Sequence, residues 1–157
     1  MNAEKFLAFQ RGWRGNLQIP ASLRAQVARG CRSCARRPRV KAVFAMAPGV
    51  VKVFGMDEPG LRALTMPTFI TVGAGDTVTL PADNAEFAAK YVPHATLLVI
   101  PGRAGHNVFV NECDAESKAE LPEMCADDPG VDRAAIHARV GAAAQRYFNE
   151  SLAVRPH

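Results

Sequence analysis

The sequence predicts an α/β fold in which about three parallel strands are flanked by helices. Three short apolar runs rich in β-branched residues indicate the strands, and apolar residues at helical spacing indicate the helices. The runs are Val40–Ala47, Thr68–Val72 and Thr96–Ile100. Because they are apolar on both alternating faces, they suit a parallel sheet that is covered on both sides. The chain of 157 residues is long enough for one domain with a sizeable core.

Residues 1–38 are expected to form a helical and basic lead-in. Asn2–Gln10 predicts a short helix, and Ser22 is a suitable N-cap for a second one that ends near Gly30. Basic residues then cluster up to Lys41: Arg24, Arg29, Arg32, Arg36, Arg37 and Arg39. Such a cluster can bind phosphate groups. We interpret it as a solvated loop and not as a nucleic-acid site, because no aromatic residues interleave with the arginines.

Residues 39–110 predict a βαβ core. Each of the three apolar runs is closed by glycine or by a Pro-Gly pair. Between the second and third runs, Pro81–Tyr91 has apolar side chains at helical spacing, which predicts the connecting helix. A right-handed crossover would then carry the chain from one strand to its parallel neighbour.

The remaining residues predict a loop and then a long helix. Residues 111–131 are polar and are expected to form a loop. Asp132 is suited to cap a final helix that runs to about Leu152. Apolar residues recur every four positions in this helix, at Ile136, Val140, Ala144, Phe148 and Leu152. They form one apolar stripe that can lie on the sheet.

The four cysteines do not predict a metal site or a cofactor. Cys31 and Cys34 form a C-x-x-C, but a zinc site needs about four ligands, and no matching second motif follows. A thioredoxin-like motif should open a helix after a strand, whereas this one lies in the arginine-rich stretch. Cys113 and Cys125 bracket a polar loop, and they either remain thiols or close the loop by a disulfide in an oxidising compartment.

The chain shows no sign of a membrane span or of a secretory leader. No apolar run approaches the roughly 18 residues that a span requires. The first residues, Met1–Lys5, lack the charged-then-apolar order of a signal peptide. The compartment therefore stays open between the cytoplasm and, if a further segment precedes this sequence, the periplasm or the exterior.

Two ionisable residues follow neighbouring strands. Asp76 comes after the second apolar run and His106 after the third, 30 positions later. Because parallel strands end at one edge of a sheet, both side chains are expected at that edge. A carboxylate that accepts a hydrogen bond from the Nδ1–H of an imidazole prepares Nε2 to act as a general base. The other histidines, His94, His137 and His157, are expected to be surface or helix residues.

At these residues the sequence resembles the predicted dienelactone hydrolase group of the α/β-hydrolases, kin to platelet-activating-factor acetylhydrolase-like esterases. The resembling segments are Arg39–Pro48, Gly75–Ala85, Gly105–Phe109 and Cys125–His137. The resemblance implies the C-terminal portion of that fold and a small-molecule ester substrate. It also implies that Asp76 is the triad acid, that His106 is the general base, and that Cys113 and Cys125 form a disulfide of the family.

The sequence departs from this family at the nucleophile. The family places a serine in a G-x-S-x-G turn after an earlier strand. The serines here are Ser22, Ser33, Ser117 and Ser151, and neither they nor the cysteines have such flanking glycines. We therefore expect a truncated hydrolase that is inactive alone. The alternative is a non-catalytic binding module that reuses the fold, and in either case an exposed sheet edge favours self-association.

Overall fold

Three parallel strands form the sheet, as the sequence predicts. The computed structural model describes residues 40–50 and 56–153. In these residues the strands are β1 (Val43–Met46), β2 (Thr68–Gly73) and β3 (Ala95–Ile100), in the spatial order β1-β2-β3 with both pairs parallel. β1 is shorter than its apolar run at both ends. It begins three residues later, at Val43, and it ends before Ala47, which adopts a left-handed conformation with φ 44°.

Five α-helices accompany the sheet within the described residues. They are α1 (Glu58–Arg62), α2 (Ala85–Tyr91), α3 (Ala115–Glu120), α4 (Pro122–Cys125) and α5 (Arg133–Leu152). The connecting helix predicted over Pro81–Tyr91 is divided, because Pro81–Asp83 forms a 3₁₀ turn before α2 begins. α1 was not predicted. It begins where the side chain of Asp57 accepts a hydrogen bond from the backbone N–H of Gly60.

Helices cover both faces of β2. On one face, Ile70 and Val72 pack with residues of α1 and α2 and the residue after α2: Leu61, Ala85, Ala88 and Val92. Side chains alternate between faces along a strand, so Phe69 points the other way. Phe69 stacks on Phe44 with ring centroids 4.8 Å apart and contacts Tyr147 of α5. The flanked parallel sheet, and with it the α/β class, is confirmed.

The prediction of a plain loop over residues 111–131 is wrong in part, because α3 and α4 lie within it. Neither helix has an apolar stripe long enough to reveal it. α3 is fixed by its cap, since Asp114 accepts a hydrogen bond from Ser117 N–H, and this bond is the main cause that lowers the pKa of Asp114. α4 begins at Pro122, whose fixed φ suits the first turn of a helix.

The bounds of the long final helix agree with the prediction, but its predicted apolar stripe is covered only in part. Phe148 is 36% and Leu152 is 50% exposed, because residues spaced four apart drift around a helix of 3.6 residues per turn. α5 begins at Arg133, and the Asp132 carboxylate accepts a hydrogen bond from Ala135 N–H at 2.9 Å. Within residues 40–50 and 56–153, no helix is long and apolar enough to cross a membrane. The helices predicted over Asn2–Gln10 and after Ser22, the arginine cluster and Cys31–Cys34 lie outside the described residues.

Candidate acid–base site

Backbone hydrogen bonds hold the loops after β2 and β3 together. Ala74 N–H donates to Ile100 O and Gly75 N–H donates to Ala104 O, each at 2.9 Å. The approach is too close for a side chain at Gly73, where an added Cβ would lie 2.1 Å from the carbonyl oxygen of Ala104. The glycines beside the predicted acid therefore let the chain leading to His106 lie against the Asp76 loop.

These loops bring Asp76 and His106 into direct contact. The Nδ1 atom of His106 lies 2.9 Å from Oδ2 of Asp76. The carboxylate side chain is fully buried, whereas the imidazole is 30% exposed. Nε2 of His106 has no hydrogen-bond partner in the part of the chain that the structure describes. The acid of the pair is therefore enclosed by protein, whereas the imidazole is partly accessible to solvent.

Four donors surround the Asp76 carboxylate. Oδ1 accepts from the backbone N–H groups of Val78, at 2.9 Å, and Thr79, at 2.8 Å. Oδ2 accepts from the hydroxyl of Thr79, at 2.9 Å, and from His106 Nδ1. An ionised carboxylate only accepts hydrogen bonds and has about four lone-pair sites, so this arrangement suits the charged form.

Thr79 is a site residue that the sequence reasoning missed. Its hydroxyl contacts the carboxylate and also lies 3.1 Å from His106 Nδ1. Part of the signal was present, because an aspartate in a turn commonly accepts hydrogen bonds from the backbone N–H groups that follow it, and those of Val78 and Thr79 do so here. Its contact with His106, 27 positions away, left no trace in local sequence.

His106 begins a 3₁₀ turn, His106–Phe109, that is held from two sides. Val108 is buried, and its carbonyl accepts a hydrogen bond from Nε2 of His137 at 2.8 Å. The Asn107 amide donates to Glu123 O at 2.8 Å. His137 lies on α5, as expected of a helix residue, but it supports the turn that carries His106. His94 is an exposed surface residue, and His157 lies outside the described residues.

A disulfide joins Cys113 to Cys125 and closes the segment that contains α3 and α4. Arg133 spans the same segment, and its side chain is only 5% exposed. Its guanidinium donates twice to Asp127, each time at 2.9 Å. It also donates to the backbone carbonyls of Val110, Asn111 and Met124. Local sequence does not mark Arg133, because two of its partners, Val110 and Asn111, lie 23 and 22 positions before it.

Two cavities lie away from the acid–base pair. One, of about 570 Å³, is lined by residues around the disulfide and Arg133. The other, of about 400 Å³, lies between Pro101–Ala104 and the start of α5. Neither is lined by Asp76 or His106. Within the described residues, no group of three or more His, Cys, Asp or Glu side chains is placed to hold a metal ion.

Among the described residues, no hydroxyl or thiol forms a hydrogen bond with Nε2 of His106, as a triad nucleophile would. Thr79 lies on the Nδ1 side of His106, whereas a general base acts through Nε2. Ser117 lies on α3 and Ser151 near the end of α5, and neither bonds to His106. No family model, curated protein or solved structure matches the chain.

Proposed function

We propose that this chain carries the acid and the base of an ester hydrolase of the α/β-hydrolase type. The single observation that supports the proposal is the hydrogen bond of 2.9 Å between a buried carboxylate and an imidazole whose other nitrogen opens outward. The two groups follow consecutive parallel strands, in the order acid then base that this type of triad uses. The resembling segments around Asp76 and His106 agree with the same assignment.

In the proposed reaction, Asp76 acts on the substrate only through His106. The carboxylate accepts a hydrogen bond from Nδ1–H, which keeps the proton on Nδ1 and leaves the lone pair on Nε2. Nε2 takes the proton of a serine hydroxyl as its oxygen attacks the ester carbonyl, and Asp76 stabilises the imidazolium that forms. His106 then gives the proton to the departing alcohol, and a water molecule releases the acyl group by the same two transfers.

The nucleophile in this proposal comes from a segment outside the sequence. The expected G-x-S-x-G turn would also supply part of the oxyanion hole. A triad enzyme that loses one member keeps roughly 10³–10⁴-fold acceleration over water, because its oxyanion hole and substrate contacts remain. This chain would lack those groups too, so it should be inactive alone. It would act on a small ester only when completed.

The test compares p-nitrophenyl butyrate hydrolysis by the chain alone and by the chain joined to the polypeptide encoded immediately before Met1. We expect background rates from the first and turnover from the second, lost in His106→Ala and in a serine variant of the added G-x-S-x-G. Turnover by the chain alone that His106→Ala abolishes would contradict the external nucleophile. A joined, folded protein that contains the turn but hydrolyses no ester would contradict the hydrolase assignment.

A second candidate is a non-catalytic interaction module, and the open side of β1 favours it. Val43 and Ala47 direct their N–H groups to β2, so by alternation those of Phe44 and Met46 point away from the sheet. No described strand pairs with that side of β1. Edges of this kind pair readily with another chain. This candidate predicts self-association that is independent of His106.

A further inference from the structure

We propose that Thr79 is a positioning residue that fixes the Asp76 carboxylate and thereby keeps the proton of His106 on Nδ1. The inference deepens the proposed function and rests on it, because it concerns the same acid–base pair. It assigns to one hydroxyl the task of holding the base in the tautomer that leaves Nε2 free to accept a proton.

The Thr79 hydroxyl lies where the ends of all three strands meet. Its oxygen is 2.9 Å from Oδ2 of Asp76, which follows β2, and 3.1 Å from Nδ1 of His106, which follows β3. It is also 3.4 Å from the carbonyl oxygen of Ala47, which follows β1. Among the contacts described above, none joins so many parts of the site through one atom.

The hydroxyl has one proton, and the distances indicate where it goes. The bond to Asp76, at 2.9 Å, is shorter than the one to Ala47, at 3.4 Å, and its acceptor is charged. The hydroxyl therefore donates to Oδ2 and turns its lone pairs toward His106. A proton on Nδ1 then meets two acceptors, Oδ2 and the Thr79 oxygen. A bare Nδ1 would face the lone pairs of both, which disfavours the other tautomer.

The surroundings of Thr79 hold its side chain in this orientation. A Cβ built on Gly49 would lie 3.7 Å from the Thr79 methyl carbon, so that methyl faces the loop after β1. Ala47, in the same loop, has φ 44° and is the only non-glycine residue with a positive φ in the described residues. Its N–H donates to Thr71 O at 2.8 Å. Backbone strain of this kind persists where the surrounding structure over-determines it.

Without the hydroxyl, the carboxylate would keep its two backbone donors on Oδ1 but lose one of the two donors on Oδ2. Rotation of the carboxylate and of the imidazole would then become easier. The change should appear as a mixed tautomer of His106 and as a less nucleophilic Nε2. It should not require any change in the fold.

The experiment uses this chain as it stands and needs no esterase activity. Nitrogen-15 NMR of the imidazoles at alkaline pH reports which ring nitrogen of His106 carries the proton. Alkylation by 2-bromoacetamide, read by mass spectrometry, reports the reactivity of Nε2. In that step Nε2 forms a bond to the methylene carbon, the carbon–bromine bond breaks, and bromide leaves while Nδ1 keeps its proton.

Three variants separate the hydroxyl from the shape of the side chain. Thr79→Val keeps the shape and removes the hydroxyl, Thr79→Ser keeps the hydroxyl, and Thr77→Val changes an exposed threonine of the same loop. We expect Thr79→Val to raise the fraction of His106 that carries its proton on Nε2. Alkylation of His106 should become about three- to tenfold slower, because this is the size of effect expected from the loss of one hydrogen bond. Thr79→Ser and Thr77→Val should behave like the unaltered chain.

Several outcomes would overturn the inference. One is that Thr79→Val and the unaltered chain have the same tautomer fraction and the same alkylation rate at His106. Another is that Thr79→Ser resembles Thr79→Val and not the unaltered chain in these two quantities. If Thr79→Val does not fold, the unaltered chain decides alone, because a mainly Nε2–H tautomer of His106 contradicts the inference. Failure of the joined protein to hydrolyse esters would sink the proposed function but leave these readouts unchanged, so the two failures are distinguishable.

Discussion

Each oxygen of the Asp76 carboxylate accepts two hydrogen bonds, so replacing one atom of this side chain should change the protonation of His106. Two backbone N–H groups occupy Oδ1, and a hydroxyl and an imidazole occupy Oδ2. Because the group is buried, solvent cannot replace a lost partner. Which ring nitrogen of His106 carries the proton therefore depends on whether the atom at the Oδ2 position accepts or donates a hydrogen bond.

Asp76→Asn tests that dependence. The amide oxygen should take the backbone donors at Oδ1, which leaves the NH₂ group facing His106 Nδ1. An N–H donor there requires a bare Nδ1, so the proton should move to Nε2. We expect the Nε2–H tautomer by nitrogen-15 NMR and at least a tenfold slower alkylation of His106, in line with about 1.4 kcal/mol or more. The exposed Asp83→Asn is the control and should change neither, and an unchanged tautomer in Asp76→Asn would contradict the assigned geometry.

At the scale of elements, Arg133 connects the start of α5 to both ends of the disulfide-closed segment. Arg133→Ala would leave Asp127 without its ion pair and the three backbone carbonyls without their donor. Breaking a buried pair from one side costs about 3–5 kcal/mol, and we expect the lower part of that range because the Asp127 side chain is 23% exposed. Urea unfolding measures the loss. Arg146→Ala, on the exposed side of the same helix, should change stability by less than about 0.5 kcal/mol.

The disulfide constrains the same segment by different physics. Cys113 and Cys125 are 12 positions apart. Closing a loop of this length lowers the entropy of the unfolded chain, which stabilises the folded state by about 3 kcal/mol. We expect Cys113→Ser with Cys125→Ser to lower the free energy of unfolding by about that amount. The segment should stay folded, since Arg133 still joins its two ends. Urea unfolding of the unaltered chain, measured with and without reductant, gives the same comparison. An equal free energy of unfolding under both conditions would contradict the prediction.

The sequence predicted the elements that are long or strictly patterned and missed those that depend on distant partners. β2, β3 and α5 agree closely with their predictions, since a buried strand and a stripe over five turns are visible in local sequence. α1, α3 and α4 have four to six residues and are fixed by caps or a proline. At the site, Asp76 and His106 followed from strand ends. The roles of Thr79, Arg133 and His137 did not, because each depends on a partner that lies 22 to 29 positions away in the sequence.

At the scale of the whole molecule, the feature to consider is the side of β1 with which no described strand pairs. The strand Val43–Met46 contains no charge and no proline, the residues that usually protect an edge. β3 is the other edge of the described sheet. Consecutive strands are usually neighbours in space. If the proposed hydrolase includes strands that precede β1 in sequence, they would pair with β1 and not with β3.

We therefore predict that the isolated chain self-associates through β1. Met46 is 50% exposed at the end of that strand, and a lysine there would add a charge to the edge. Sedimentation velocity over a range of concentrations should show that Met46→Lys weakens association at least tenfold. Val99→Lys on β3 and Leu152→Lys, which is equally exposed at 50% on α5, should not. Equal weakening by all three would assign the effect to net charge alone, and a monomer at every concentration would mean that β1 is covered within the chain itself.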